Sequence, residues 1–452
     1  MDVRRRTFSE IIGSRAQAPL SLSPTEQNTE WLRDIFPGEI KYLRGWYVPW
    51  ILGKATSFDP SVGKVFPRTI PAQPSSSQSA PESQHSDDSE HVLGVLRNVA
   101  KEIRSGPLNL EMIGHALEKE YVGGSGAQHG VSGENVKLNM LFSLLAWLAP
   151  IYEPQLPSAE PVFRIVACDG SVATQYFSFS RPHTDASKKL PYFLKGFGML
   201  LPSRQTDFLS RPSVSDHNAP STTKGRNSTQ SLSPENFNMK LLNNIGHLEV
   251  EWTDILSSHL HVDAERVQLY KFPSYCLASL PPECTAHLAT PPLRSVLHSC
   301  ATESDAHWIQ EWEVSEYLRE ILQSYRLLFG QNRISREYFS KIKPAAPGTI
   351  DYDPLLDELC TGPGPVGDVA DRRAYPLAST FPFLSSKLQE LKNHLDARRP
   401  TSWMDLWRDR RDSAQWLTFW TVLIFGACSV TLSFMANVLA SLQLWRAWGS
   451  SS

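Results

Sequence analysis

The chain has 452 residues, enough for two or three ordinary domains and for a core of useful size. With 41% hydrophobic residues, 20% charged residues and a formal net charge of −3, it is neither a disordered polyelectrolyte nor a basic nucleic-acid binder. Its six cysteines, Cys168, Cys276, Cys284, Cys300, Cys360 and Cys428, are too dispersed for the disulfide framework of a small secreted domain, so free thiols are expected.

The start of the chain carries Arg4, Arg5 and Arg6 but no apolar h-region, so it does not read as a secretory signal, and Asp2 and Glu10 oppose a mitochondrial presequence. A short aromatic helical segment closes the stretch 1–66, its apolar area supplied by Trp31, Leu32, Ile35, Phe36, Tyr42, Leu43, Trp46 and Trp50. The stretch 67–90 is rich in Pro, Ser and acid, and reads as a disordered linker. Helical spacing resumes at His91 with Val92, Val95, Leu96, Val99 and Ile103, opening an α+β region over 91–201. Within it Leu138 to Leu148 is apolar but too short to span a bilayer and reads as a buried helix. A β-hairpin is expected over 162–180 around Asp169-Gly170, a pair suited to a tight turn.

The polar stretch 202–235 reads as a second disordered loop. The mainly helical region 236–343 begins with mixed helical and β-favouring runs, Arg266 to Phe272 among them. It then carries a strong helix from Asp305 to Phe329, whose face of Trp308, Trp312, Leu318, Ile321, Leu322, Tyr325, Leu328 and Phe329 is expected in the core, with Gly330 as its stop. In 344–400, Pro and Gly imply irregular chain up to Pro376, after which Leu384, Leu388, Leu391 and Leu395 mark an amphipathic helix. A basic juxtamembrane segment, 401–415, holds Trp403, Leu406 and Trp407 among Arg408, Arg410 and Arg411.

No residue from Ser413 to Trp445 is charged, and the run exceeds the ~20 apolar residues that cross a hydrocarbon core. Trp416, Phe419 and Trp420 stand at one end and Trp445 and Trp448 at the other, at headgroup depth, so 416–445 is expected to be a transmembrane helix followed by a short tail, 446–452. Arg398, Arg399, Arg408, Arg410 and Arg411 precede it and only Arg446 follows, which turns the bulk of the chain to the cytosol, in the layout of a tail-anchored protein. Gly426, Ser429, Ser433, Ala436 and Ala440 form one stripe of small side chains that permits close packing of a second helix.

Ligand-type side chains are densest at Cys276, Cys284, His287, His298 and Cys300, but only Cys284 and His287 have the close spacing of a zinc knuckle. His259 and His261 would share a face of a strand, without an HExxH pattern. Gly123-Gly124-Ser125-Gly126-Ala127 lacks both the strand and the helix of a nucleophile elbow, and the Gly-Lys-Ser/Thr ending of a phosphate loop. Asp351 and Asp353 open a calcium-loop pattern that Pro354 breaks. Asn227-Ser228-Thr229 is a glycosylation sequon that matters only in a lumenal setting.

The segments LLNNIGHLEVEWTDILSSHLHVD, LYKFPSYC, ILQSYRLLFGQ and SWMDLWRDRRDSAQWLTFWTVLIFG resemble single-span membrane proteins of filamentous fungi for which no activity is established. That resemblance covers the C-terminal half and implies no catalytic or binding residue. The expected fold is therefore α+β and mostly α-helical, with disordered linkers and one C-terminal transmembrane helix. The expected role is a membrane-tethered, non-enzymatic interaction or scaffold protein, its partners the lipid bilayer, other proteins and a second copy through the span, with no nucleic acid and no cofactor. An enzyme with an unrecognised site, hydrolytic or zinc-dependent, is the alternative.

Overall fold

The computed structural model describes residues 27–58, 82–106, 109–121, 131–155, 160–166, 180–197, 201–202, 204, 231–282, 294–302, 309–344, 352–364, 366–398 and 413–449. Helices α1 (Gln27–Ile35) and α2 (Tyr47–Phe58) gather the aromatic residues of the first segment, burying Trp31, Phe36, Trp46, Tyr47 and Trp50. The Trp46 ring stacks on Phe272 with centroids 4.0 Å apart, and Trp50 meets the same ring edge-on at 5.3 Å. Offset and edge-on contacts of this kind add to area burial because the ring faces are negative and the edges positive. Between the two helices Gly38 donates its N–H to Ala278 O at 2.8 Å, and a Cβ there would lie 2.4 Å from Leu280 O. Only glycine lets this turn sit so close to the neighbouring backbone.

Helix α3 (Glu82–Ser105) starts ahead of His91, inside the stretch expected to be linker. It packs against α1, α2, α4 (Leu110–Tyr121) and α5 (Val131–Leu148). From residue 137 to 150 every side chain of α5 and its exit is buried, as expected of a core helix. Tyr47 and Tyr275 donate their hydroxyls to Trp147 O and Leu148 O, supplying partners that the last carbonyls of a helix lack within it.

Strands β1 (Val162–Arg164) and β2 (Ser180–Pro182) pair antiparallel. A two-residue turn at Asp169 and Gly170 would bring Val162 opposite Phe177; its partner is Pro182 instead, and the turn pair itself lies outside the described residues. Helix α6 (Leu190–Lys195) follows. Strand β3 (Ser231–Leu232) and helix α7 (Met239–Asn244) lead into β4 (Glu249–Thr253), β5 (His261–Asp263) and β6 (Arg266–Tyr270). In this sheet β6 is central, parallel to β4 and antiparallel to β5. Ala264, in the turn between β5 and β6, takes φ +49, a left-handed value.

Helices α8 (Pro273–Ser279), α9 (Val296–Ala301) and α10 (Glu311–Tyr325) carry the core into the second half, α9 touching both α3 and α10. Helix α10 begins at Glu311, because Gln310 and Glu313 form a capping box there. Trp308 lies outside the described residues, and Trp312, expected in the core, is 52% exposed on the first turn. At Arg326–Gly330 the helix widens into a π turn and stops at Gly330, as expected, and a separate helix, α11 (Arg333–Ile342), starts from its own cap, Asn332. Helix α12 (Pro354–Thr361) occupies part of the stretch expected to be irregular: Asp353 caps it and Pro354 fills its first position. Strand β7 (Tyr375–Pro376) pairs with β3, and α13 (Leu377–Thr380) and α14 (Ser385–Ala397) follow, the latter burying Leu388, Leu391 and Leu395. One contiguous core runs from Trp31 to Leu395. The last helix, α15 (Ser413–Gly449), contributes nothing to it, so the fold is α+β, mostly helical, with a long apolar C-terminal helix.

Candidate membrane interface and buried polar centres

Leu417–Arg446 of α15 is a run of 30 residues, long and apolar enough to cross a membrane, and none of its most apolar window is buried. At the helical rise it extends for about 45 Å, against a hydrocarbon core of about 30 Å. Phe425, Val430 and Leu432 are each 70% exposed or more, whereas among the described residues the large apolar side chains exposed outside α15, Met112, Val166, Tyr192, Trp312 and Ile334, stand on separate stretches of the chain. Apolar surface on this scale asks for a covering phase. Gly426, Ser429, Ser433, Ala436 and Ala440 all lie on this uncovered helix.

Among the described residues two buried histidines, His259 and His298, bond serine side chains, and these hydrogen bonds decide what they can do. His259 Nδ1 accepts the backbone N–H of Tyr270 at 3.2 Å, so the ring proton sits on Nε2, which donates to Ser324 Oγ at 2.8 Å. Ser324 in turn donates to Ile321 O at 2.7 Å. Burial first, and the Lys387 charge second, hold this imidazole well below its ordinary pKa. A histidine whose Nε2 already carries the proton cannot take one from the serine, so the pair is not an activated nucleophile. His298 joins Ser295 through Nδ1 at 2.7 Å and Ser315 through Nε2 at 2.9 Å, tying the cap of α9 to α10. Burial lowers its pKa to about 4.

Two buried carboxyls close helix ends. Glu320 accepts the N–H groups of Phe383 at 3.0 Å and Leu384 at 2.7 Å, ahead of α14, and Asp353 accepts those of Ser274 at 2.7 Å and Leu355 at 2.9 Å. Desolvation outweighs these donors, pushing Glu320 up to about 8 and Asp353 up to about 7. Between the ordinary carboxyl range and those values the folded chain holds protons that the unfolded chain has lost, so stability falls as pH rises through that window. His259 and His298 act in the opposite sense below their ordinary value, where the unfolded chain takes up protons that the folded one refuses. The urea midpoint should therefore decline from about pH 6.5 to pH 8, and Glu320→Gln should flatten that decline. A midpoint that rises over the same range, measured in one buffer series, would contradict the assignment.

Of the five metal candidates, Cys276 and Cys300 are buried free thiols on α8 and α9, both held above the ordinary thiol pKa by burial. His298 has both ring nitrogens engaged by serines, and Cys284 and His287 lie outside the described residues. Among the described residues no group of three or more His, Cys, Asp or Glu side chains could hold a metal ion. His259 and His261 do not share a strand face: His259 precedes β5, and Leu260 between them takes φ +59, which breaks the alternation. The carbonyls of Ser257 and His259 on this turn accept from the Lys387 ammonium at 2.9 and 2.7 Å, which fixes the unusual backbone in place. Asp353 is a helix cap, while Asp351, the Gly123–Ala127 loop, Asn227 and the 401–412 part of the juxtamembrane segment lie outside the described residues. Sequence reasoning did not find Glu320 or Arg326 as buried charges; both stand within the apolar run of α10 and the π turn, where a charge at a core-facing position was the available signal.

These features define a mostly helical α+β protein with an uncovered apolar helix and a core cross-linked by structural polar contacts. No family model, curated protein or solved structure matches the chain.

Proposed function

We propose that this chain is a single-pass membrane-tethered protein, that α15 is its anchor, and that its folded region faces the cytosol and binds other proteins without catalysing a reaction. The observation that carries the proposal is the contrast between α15, apolar and uncovered, and the remainder of the described chain, whose large apolar residues gather in one core. Orientation rests on Arg398, Arg399, Arg408, Arg410 and Arg411 ahead of the helix against Arg446 after it. The non-catalytic role is supported by the consumption of the buried histidines, Glu320 and Asp353 in structural hydrogen bonds. A fungal lineage, suggested by the four segments quoted above, belongs to the same proposal.

The test uses the full chain with a tag at each end, expressed with microsomal membranes. The protein is expected to resist alkaline extraction, to lose its N-terminal tag to external protease, and to remain unglycosylated at Asn227. Removing residues 413–452 should release it to the supernatant. A protected N-terminal tag together with a glycan on Asn227 would reverse the orientation, and quantitative alkaline extraction of the intact chain would refute the anchor.

A further inference from the structure

Some polar side chains within α15 bond back onto their own helix, and others, Ser429 and Ser433 among them, do not. Thr421, Thr431 and Ser441 turn their hydroxyls back onto their own helix, donating to the carbonyls of Leu417, Ala427 and Asn437 at 2.7, 2.7 and 2.8 Å. The Asn437 carboxamide makes no hydrogen bond to any described residue. A hydroxyl can satisfy its one donor against the preceding turn, but a carboxamide brings two donors and an acceptor, more than that turn can satisfy. Depth makes the difference matter. Measured from the middle of Leu417–Arg446, Asn437 lies about 8 Å along the axis, inside a hydrocarbon half-thickness of about 15 Å. Gln443, the other amide of this run, lies at about 17 Å, where headgroups and water can serve it.

We propose that α15 pairs within the bilayer with α15 of a second copy of this chain, through a reciprocal hydrogen bond between the two Asn437 side chains. The inference rests on the membrane reading above. A carboxamide is complementary to another carboxamide, donor to acceptor in both directions, and two copies inserted the same way bring Asn437 to the same depth without further adjustment. The helix surface beside Asn437 lets them meet. At about 100° per residue, Ser433 and Ala440 lie within about 60° of Asn437 around the axis, so backbones can approach closely on that side. Thr431 lies about 120° away and serves as a control position.

The full chain, carrying donor or acceptor fluorophores on an N-terminal tag, is reconstituted in phosphatidylcholine vesicles over a range of protein-to-lipid ratios. Wild type should transfer energy increasingly with protein density. Asn437→Leu should raise the dissociation constant about tenfold, Asn437→Gln should restore part of the association, and Thr431→Leu should leave it unchanged. Equal association of Asn437→Leu and wild type would overturn the proposal, as would a wild type that stays monomeric at every ratio. Alkaline extraction of the same vesicles separates the two readings: a chain that is extracted fails as a membrane protein, and one that is retained but monomeric fails only as a dimer.

Discussion

Arg326→Met is expected to lower folding stability by about 3 to 5 kcal/mol, because it removes the buried half of a hydrogen-bonded ion pair. The guanidinium is 1% exposed and donates to both oxygens of Asp371 at 2.8 and 2.7 Å, and to the carbonyls of Leu359 and Gly362 at 3.0 and 2.9 Å. It thereby joins the π turn after α10 to the end of α12 and to the chain that leads toward β7. Methionine preserves much of the stem but leaves two carbonyls without a donor. Asp371 is partly exposed and can turn to water, so the lower half of the range is the closer expectation. Arg326→Lys should fall between wild type and Arg326→Met, since an ammonium cannot make the bidentate contact. Gly330 belongs to the same arrangement: a Cβ there would lie 2.5 Å from Leu359 O and 2.9 Å from the guanidinium carbon. Urea unfolding of the full chain in mild detergent measures the effect, and a loss below about 1 kcal/mol would show that the network is dispensable.

Trp46→Ala is expected to cost a similar amount, about 3 to 5 kcal/mol, by a different mechanism. Trp46 is 1% exposed, stacked on Phe272, edge-on to Tyr47 and Trp50, and its indole N–H donates to Ser274 Oγ at 2.9 Å. Truncation opens a cavity where α2 meets α8 and removes the donor from Ser274, whose backbone N–H is bound to Asp353. Trp46→Phe retains most of the packing and loses the hydrogen bond, so about 1 kcal/mol is expected. The ratio of the two losses, read from the same unfolding curves, separates packing from hydrogen bonding. With a total stability on the order of 5 to 15 kcal/mol, either Trp46→Ala or Arg326→Met can leave the folded region marginal.

Helix was legible wherever apolar residues recur at helical spacing over several turns. The core face of α3, the buried run of α5 and the leucines of α14 all follow from that rule. Helix α12 carried a signal as well, Asp353 before Pro354, which proline-rich surroundings obscured. The turn between β5 and β6 carried none. Ala264 and Glu265 are not turn-forming residues in the usual sense, and the hairpin exists because Val267 and Leu269 are buried in the core while Ala264 accepts a left-handed φ. Trp312 shows the converse: spacing assigns it to the apolar face, but the capping box at Gln310 places it on the first turn, at the edge of what the core can cover.

By itself the sequence determined two things about this protein, its predominantly helical character and the long apolar helix at 416–445, because both depend on local properties: periodicity, helical rise and the run of uncharged residues. Tertiary structure decided the state of its polar groups. Whether His298 could serve as a ligand, whether Ser324 could be activated, and whether Glu320 and Asp353 hold protons near neutrality depend on partners 17, 65, 63 and 79 positions away along the chain. Burial and hydrogen bonding set those properties, and both arise only when distant segments pack around one core.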